Sequence, residues 1–158
     1  MNREIKFRAW DKRTGRWIDN FRMFMHGNIE VFTSYANPQW QPYSKKHYEL
    51  MQYTGLKDKN GKEIFEGDIL EVVIDNDNDE TCGHGFDIDV GKKVAVRWMD
   101  GGFRLIEPQY YNNEDKGYCE VCAAVNSGGY LYSENHEMDI GFFVKVVGNI
   151  YESPELLK

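Results

Sequence analysis

Four side chains with metal-ligating chemistry fall in two short runs: Cys82 and His84 in a C-x-H, and Cys119 and Cys122 in a C-x-x-C. Two such pairs can supply the four donors of a tetrahedral zinc site. Their surroundings argue the other way. The stretch "YCEVCAAV" has an extended pattern, in which positions three apart point to opposite faces, whereas a zinc knuckle turns on a glycine between its cysteines. Two small buried thiols and a loop pair are expected, with no metal and no other cofactor. Asp75, Asp77 and Asp79 alternate as the first ligands of a calcium loop do. The sixth and twelfth places of that loop would then be Glu80 and Phe86, where Gly and Glu are needed. A solvated acidic loop over residues 75–89 is the expectation.

No G-x-S-x-G, P-loop or dinucleotide fingerprint occurs, and His26, His47, His84 and His136 are scattered through polar or turn-rich stretches. No catalytic residue is assigned, and a small enzyme without a recognisable motif is the alternative of that class. The remaining chemistry is cationic and aromatic. Trp10 and Trp17 stand beside Arg8, Arg13 and Arg16, a combination that stacks on unpaired bases while neutralising phosphates. The same rings can instead pack the segment on a barrel or on a second subunit. Arg8, Trp10, Arg16 and Trp17 are the binding residues this reading singles out, with nucleic-acid binding as the alternative to assembly.

Charge constrains the choice. The 158 residues carry a formal net charge of -7, which argues against coating a long nucleic acid through phosphate neutralisation alone. Residues 1–22 hold seven bases against three acids, a net of +4, and leave -11 to the rest. Such asymmetry steers one subunit onto another, or onto a partner. Hydrophobic residues at 41% and charged residues at 28% describe a chain able to fold as a globular protein. No window approaches the roughly 18 apolar residues that span a bilayer, and the first ten residues lack the apolar core of a signal peptide. Three cysteines are too few, and odd in number, for a disulfide framework. A cytoplasmic setting with no membrane association follows as the expectation.

The elements that must position these residues are short and extended. Ile5, Phe7 and Ala9 alternate with Lys6 and Arg8, and "DKRTG" then supplies turn formers before Trp17, so the chain should open on a β-hairpin. A second strand pair is expected around Asn28–Tyr35, and a junction at "ANPQWQPYS", where Pro38 and Pro42 exclude a central strand. From Gln52 a turn system is expected, with Asn60 and Gly61 in a tight turn, Gly67 permitting a change of direction, Asp68 bonding its own local backbone, and a buried strand at 69–74. Val94, Val96 and Trp98 should share one buried face of the next strand. A further hairpin should turn at Asp100 and Gly101, and residues 107–138 read as an irregular excursion. Gly148 marks a bulge in a last strand over 141–151, and Ser153 with Pro154 starts a final helical turn. No repeat and no long helical period is present. The expected fold is all-β: an N-terminal β-hairpin lobe over residues 1–50, then a small SH3-like β-barrel over 51–158, with Gly61, Gly67 and Asp68 forming the structural turn at its entrance and Tyr53 beside it.

Three blocks taken together, "REIKFRAWD" at 3–11, "MQYTGLKDKNGKEIFEGDIL" at 51–70 and "VVGNIYESPELL" at 146–157, resemble the YopX-like family of small phage and prophage proteins. The resemblance implies a β-rich N-terminal part, a C-terminal SH3-like barrel, a bacterial or phage-infected cytoplasm and self-association. It implies no activity. The expected role is that of a phage or prophage accessory protein that binds a copy of itself, or a phage or host protein.

Overall fold

The computed structural model describes residues 4–36, 38–73, 91–99, 102–106 and 144–157. The cysteines, His84, His136, the aspartates of the acidic loop, the turn at 100–101 and the excursion at 107–138 lie outside the described residues. The fold is all-β: among the described residues there are eleven strands and three-residue or four-residue 3₁₀ turns at Met25–Gly27, Lys45–His47 and Pro154–Leu157. The chain divides into two compact units, Met1–Tyr53 and Thr54–Lys158.

The first unit opens on the expected hairpin, β1 (Phe7–Asp11) and β2 (Arg16–Trp17), with Trp10 opposite Trp17 and Asp11 opposite Arg16. Its turn is closed by the Gly15 N–H on the Asp11 carbonyl, and Gly15 sits at φ 63°, where a side chain would be strained. On its other side β1 pairs antiparallel with β6 (Tyr48–Lys57), from Phe7 opposite Gln52 to Asp11 opposite Tyr48. Three further strands, β3 (Phe21–Met23), β4 (Ile29–Phe32) and β5 (Trp40–Tyr43), form a second antiparallel sheet with β4 at its centre. Pro42 is therefore inside a strand, but an edge strand, where a missing N–H costs no ladder bond. Ala9, Ile29 and Tyr48 make the buried core of this unit, with Ile18, Phe21, Val31, Tyr43 and Leu50 packed against them.

"QYTGLK" continues β6 where a turn was expected. Gly55, at φ 95°, lets the strand bend without ending it. In the second unit β7 (Glu63–Phe65) lies next to β6, and the Thr54 hydroxyl donates to the Ile64 carbonyl at 2.8 Å. A four-stranded sheet follows in the order β10 (Gly102–Ile106), β9 (Lys93–Met99), β8 (Asp68–Val72), β11 (Val144–Asn149). It is buried on both faces. Leu70, Val72, Val94, Val96, Phe103, Leu105 and Val144 pack on one side with Ile64, and Ile69, Ala95, Ile106 and Ile150 on the other. Two-sided burial explains why these strands read as unbroken apolar runs. Trp98 departs from the expectation of burial: it keeps the alternation of Val94 and Val96 but is 45% exposed near the end of β9, edge-to-face with Phe103 at 4.9 Å.

The turn at Gly67 behaves as its sequence demands. Gly67 sits at φ 78°, its N–H donates to the Val96 carbonyl at 2.7 Å, and its carbonyl accepts from Ile150 N at 2.9 Å. Asp68 Oδ2 accepts the Phe65 N–H at 2.8 Å and Asp68 Oδ1 faces the Asn149 amide at 3.4 Å. Register slips between Val146 and Gly148, which is the bulge expected there. At the far end of β8, Val72 N donates to the Lys92 carbonyl and Gly91 N donates to the Val72 carbonyl, each at 2.9 Å. These two bonds close the base of the segment that joins β8 to β9.

Candidate functional site

The hairpin sets its cations against rings. Trp10 is 8% exposed and meets Trp17 edge-to-face at 4.9 Å, the contact expected of directly opposed aromatic residues in an antiparallel pair. The Arg8 guanidinium lies 4.5 Å from the Trp17 ring centre, within cation–π range. Arg8, Trp10 and Trp17 thus form one packed stack. Arg16 stands beside them on β2, exposed, and its side chain makes no hydrogen bond, ion pair or ring contact among the described residues.

The turn of the hairpin is tied to β5 through Tyr43. Its hydroxyl donates to Asp11 Oδ2 at 2.7 Å and accepts from Arg13 Nε at 2.9 Å, with Arg13 Nη2 converging on the same oxygen. Asp11 Oδ1 accepts the Arg13 N–H at 2.9 Å. Burial alone would raise the Asp11 carboxyl, but the hydrogen bonds from Tyr43, Arg13 and Thr14 outweigh it and hold it below the ordinary aspartate value. Burial and the bond to Asp11 push the Tyr43 phenol above its ordinary value, so it stays protonated. His47 packs edge-to-face on Tyr43 at 5.9 Å, and partial desolvation with Arg13 nearby lowers its pKa.

An open groove of about 690 Å³ lies along these residues, lined by the Asp11–Tyr43 pair, Arg13, Arg16, Trp17 and Phe32 among others. Two guanidinium groups face it against one carboxylate already engaged by Tyr43.

A second surface lies on the β3-β4-β5 sheet. Period-two alternation turns Phe21, Ile29, Val31 and Tyr43 into the core, which leaves Arg22, Glu30, Phe32 and Trp40 on the other face. Arg22 Nε donates to Glu30 Oε2 at 2.8 Å, while its guanidinium sits 4.8 Å from Trp40 and 5.6 Å from Phe24. Phe32 meets Tyr35 and Trp40 edge-to-face at 5.1 and 5.5 Å. Met23, Phe24, Met25, Tyr35 and Trp40 are all exposed, Met25 and Tyr35 by more than four-fifths. The reading of the sequence passed over this face. Its signal was the run "FRMFM", whose alternation puts a large side chain on each side of a strand that can cover only one.

The other singled-out residues are engaged in backbone contacts. Tyr53 is buried, its N–H donates to the Lys6 carbonyl at 2.9 Å, and Lys6 Nζ lies 5.4 Å from its ring. Gly61, at φ 80°, donates its N–H to the Asp58 carbonyl at 2.8 Å. Asp58, which precedes Asn60 and Gly61, is the residue the sequence reading missed there. Its Oδ1 accepts from Asn60 N and Lys62 N at 2.8 and 2.9 Å, and Oδ2 accepts from Val146 N at 2.9 Å. Among the described residues no three His, Cys, Asp or Glu side chains converge as a metal site would require, and no helix is long and apolar enough to cross a membrane.

The family model of the YopX protein matches residues 6–158. Among solved structures, protein EF1440 from Enterococcus faecalis is similar at 25% identity and a TM-score of 0.53, over 99% of this chain and 100% of that one. Protein yopX from Bacillus subtilis is similar at 17% identity and a TM-score of 0.51, over 96% and 97% of the two chains. No curated protein matches the chain.

Proposed function

The chain belongs to the YopX family, and from that premise we propose that it is a phage or prophage accessory protein that acts by binding other protein in the bacterial cytoplasm, first of all a second copy of itself. The observation that carries this reading is the outer face of the β3-β4-β5 sheet. Of the seven exposed large apolar residues among those described, Phe24 and Trp40 meet on Arg22, and Tyr35 and Trp40 on Phe32, and exposed aromatic clusters of this kind mark docking surfaces. The face also holds both members of an ion pair, Arg22 and Glu30. A patch that carries its own acid and base is complementary to an identical patch across a two-fold axis, where each Arg22 can exchange its Glu30 for the partner's. In this reading the second unit is the SH3-like scaffold and the first carries recognition.

Light scattering coupled to size exclusion tests it. The protein should run as a dimer or larger at micromolar concentration, and Trp40→Glu should shift it to monomer while leaving its circular dichroism unchanged. A strict monomer across that range, or an oligomer indifferent to Trp40→Glu and Phe24→Glu, overturns the proposal.

A further inference from the structure

We infer that the tip of the β3–β4 hairpin, Met25 and His26, is where a second copy of this chain is recognised, the thioether and imidazole of one copy entering the hollow beside the other's tip. Recognition of this kind deepens the self-association proposed above and rests on it. Three features of the hairpin carry it.

The first is backbone strain. Among the described residues His26 is the one non-glycine residue with a positive φ, at φ 74° and ψ 13°. It is the third residue of a turn closed by the Gly27 N–H on the Phe24 carbonyl at 3.1 Å, a place where such a φ selects glycine or asparagine. The conformation is held from outside the turn: Lys45 Nζ donates to the His26 carbonyl at 3.1 Å, and the Tyr48 hydroxyl donates to the Gly27 carbonyl at 2.8 Å. Strain that neighbours must hold in place, at a residue whose side chain adds nothing to the core, marks a contact made with something else.

The second is what the tip presents. Met25 is 83% exposed and His26 is exposed, and neither side chain makes a hydrogen bond, ion pair or ring contact among the described residues. A thioether on an unbranched stem adapts to an irregular apolar surface. A neutral imidazole adds one N–H donor and one acceptor. With its backbone clamped at two carbonyls, the turn offers both groups already in position.

The third is the hollow beside the tip, an open depression of about 520 Å³ lined by Phe24, Glu30, Pro42 and Lys45 among others. The first three belong to the outer face of the sheet. Glu30 lies opposite both Arg22 and Pro42 in register, and Phe24 follows Arg22 by two in extended backbone. The rings of Phe24 and Pro42 suit a thioether. Glu30 Oε2 is taken by Arg22, whereas Oε1 accepts no hydrogen bond among the described residues and suits an imidazole N–H. Tip and hollow therefore match in kind, and because each copy holds both, a two-fold contact satisfies the two tips at once.

The experiment is sedimentation equilibrium of the full chain and its variants, with thermal unfolding of each at a dilution where the parent is monomeric. Met25→Ser should weaken association about tenfold or more, through loss of a buried thioether, and leave the melting temperature of the dilute protein unchanged. His26→Gly should weaken association about three- to tenfold, through loss of the imidazole hydrogen bond. It should also raise the melting temperature of the dilute protein, since glycine carries no strain at this φ. A tip with a purely structural role would move the two readouts together. If Trp40→Glu dissociates the protein while both tip variants associate as the parent does, the tip is not the contact and self-association through the sheet face stands. A parent that is monomeric throughout removes both. A lower melting temperature for His26→Gly also overturns the inference, because the turn would then hold no strain to explain.

Discussion

Tyr43 joins the hairpin turn to β5 with one oxygen that both donates and accepts. Removing it leaves a buried Asp11 carboxylate oxygen short of a donor, and the cost of that exceeds the net worth of the bond itself. Tyr43→Phe should lower unfolding free energy by about 1–2 kcal/mol in urea titration, with no change in the slope that reports exposed surface. Asp58 does the same work in the second unit, where a single carboxylate gathers three backbone N–H groups. Burial raises its pKa, but the bonds from Val146, Lys62 and Asn60 prevail and hold it below 3.8. With the folded value depressed, the unfolded chain takes up the proton first. The stabilisation is therefore complete above pH 3.8 and is lost as pH falls through the lower, folded value. Asp58→Asn should be less stable than the parent at pH 7 by about 1–3 kcal/mol, and the gap should narrow toward pH 3. Equal stability of the two at pH 7 would show that the three contacts are not worth keeping charged.

At the level of the element, two glycines carry the geometry of the second unit. A Cβ on Gly67 would stand 3.1 Å from Asn149 Nδ2 at a φ of 78°, so both space and backbone resist it. A Cβ on Gly148 would come within 2.8 Å of Leu156 Cδ1 and Ser153 Oγ, where the final 3₁₀ turn folds back on the bulge. Gly67→Ala should cost about 1–3 kcal/mol, through left-handed backbone strain with crowding added. Gly148→Ala should instead act through the last turn, lowering hydrogen-exchange protection at Ser153 and Leu156 more than in β8. These positions were legible in the sequence because glycine and aspartate at a reversal have few other reasons to be there. The hairpin, the bulge and the two-sided burial of β8 and β9 were legible for a similar reason: each depends on neighbours in the chain. The β3-β4-β5 sheet was only half legible. Pro42 looked like a break because a sequence does not say whether a strand will have one neighbour or two, and only the edge position makes proline harmless. The binding residues were chosen for type. Arg16 stands open where Trp10 is enclosed, although Arg16 lies opposite Asp11, on the face of the core residue Ala9, and Trp10 lies opposite Trp17 on the other face.

For the molecule as a whole, assembly through Phe24, Tyr35 and Trp40 rests on apolar area, so raising salt from about 50 to 500 mM should leave the oligomer intact or strengthen it in sedimentation. Dissociation over that range would instead make the Arg22–Glu30 exchange the main contribution. The base of the β8–β9 connection has a practical corollary. Because Val72 bonds both Gly91 and Lys92, β8 and β9 are clasped together at the two points of the chain that bracket residues 74–90. A four-residue turn grafted there would shed about 1 kcal/mol of closure entropy, and the same joint is where a reporter peptide can be spliced in while β8 and β9 stay in register.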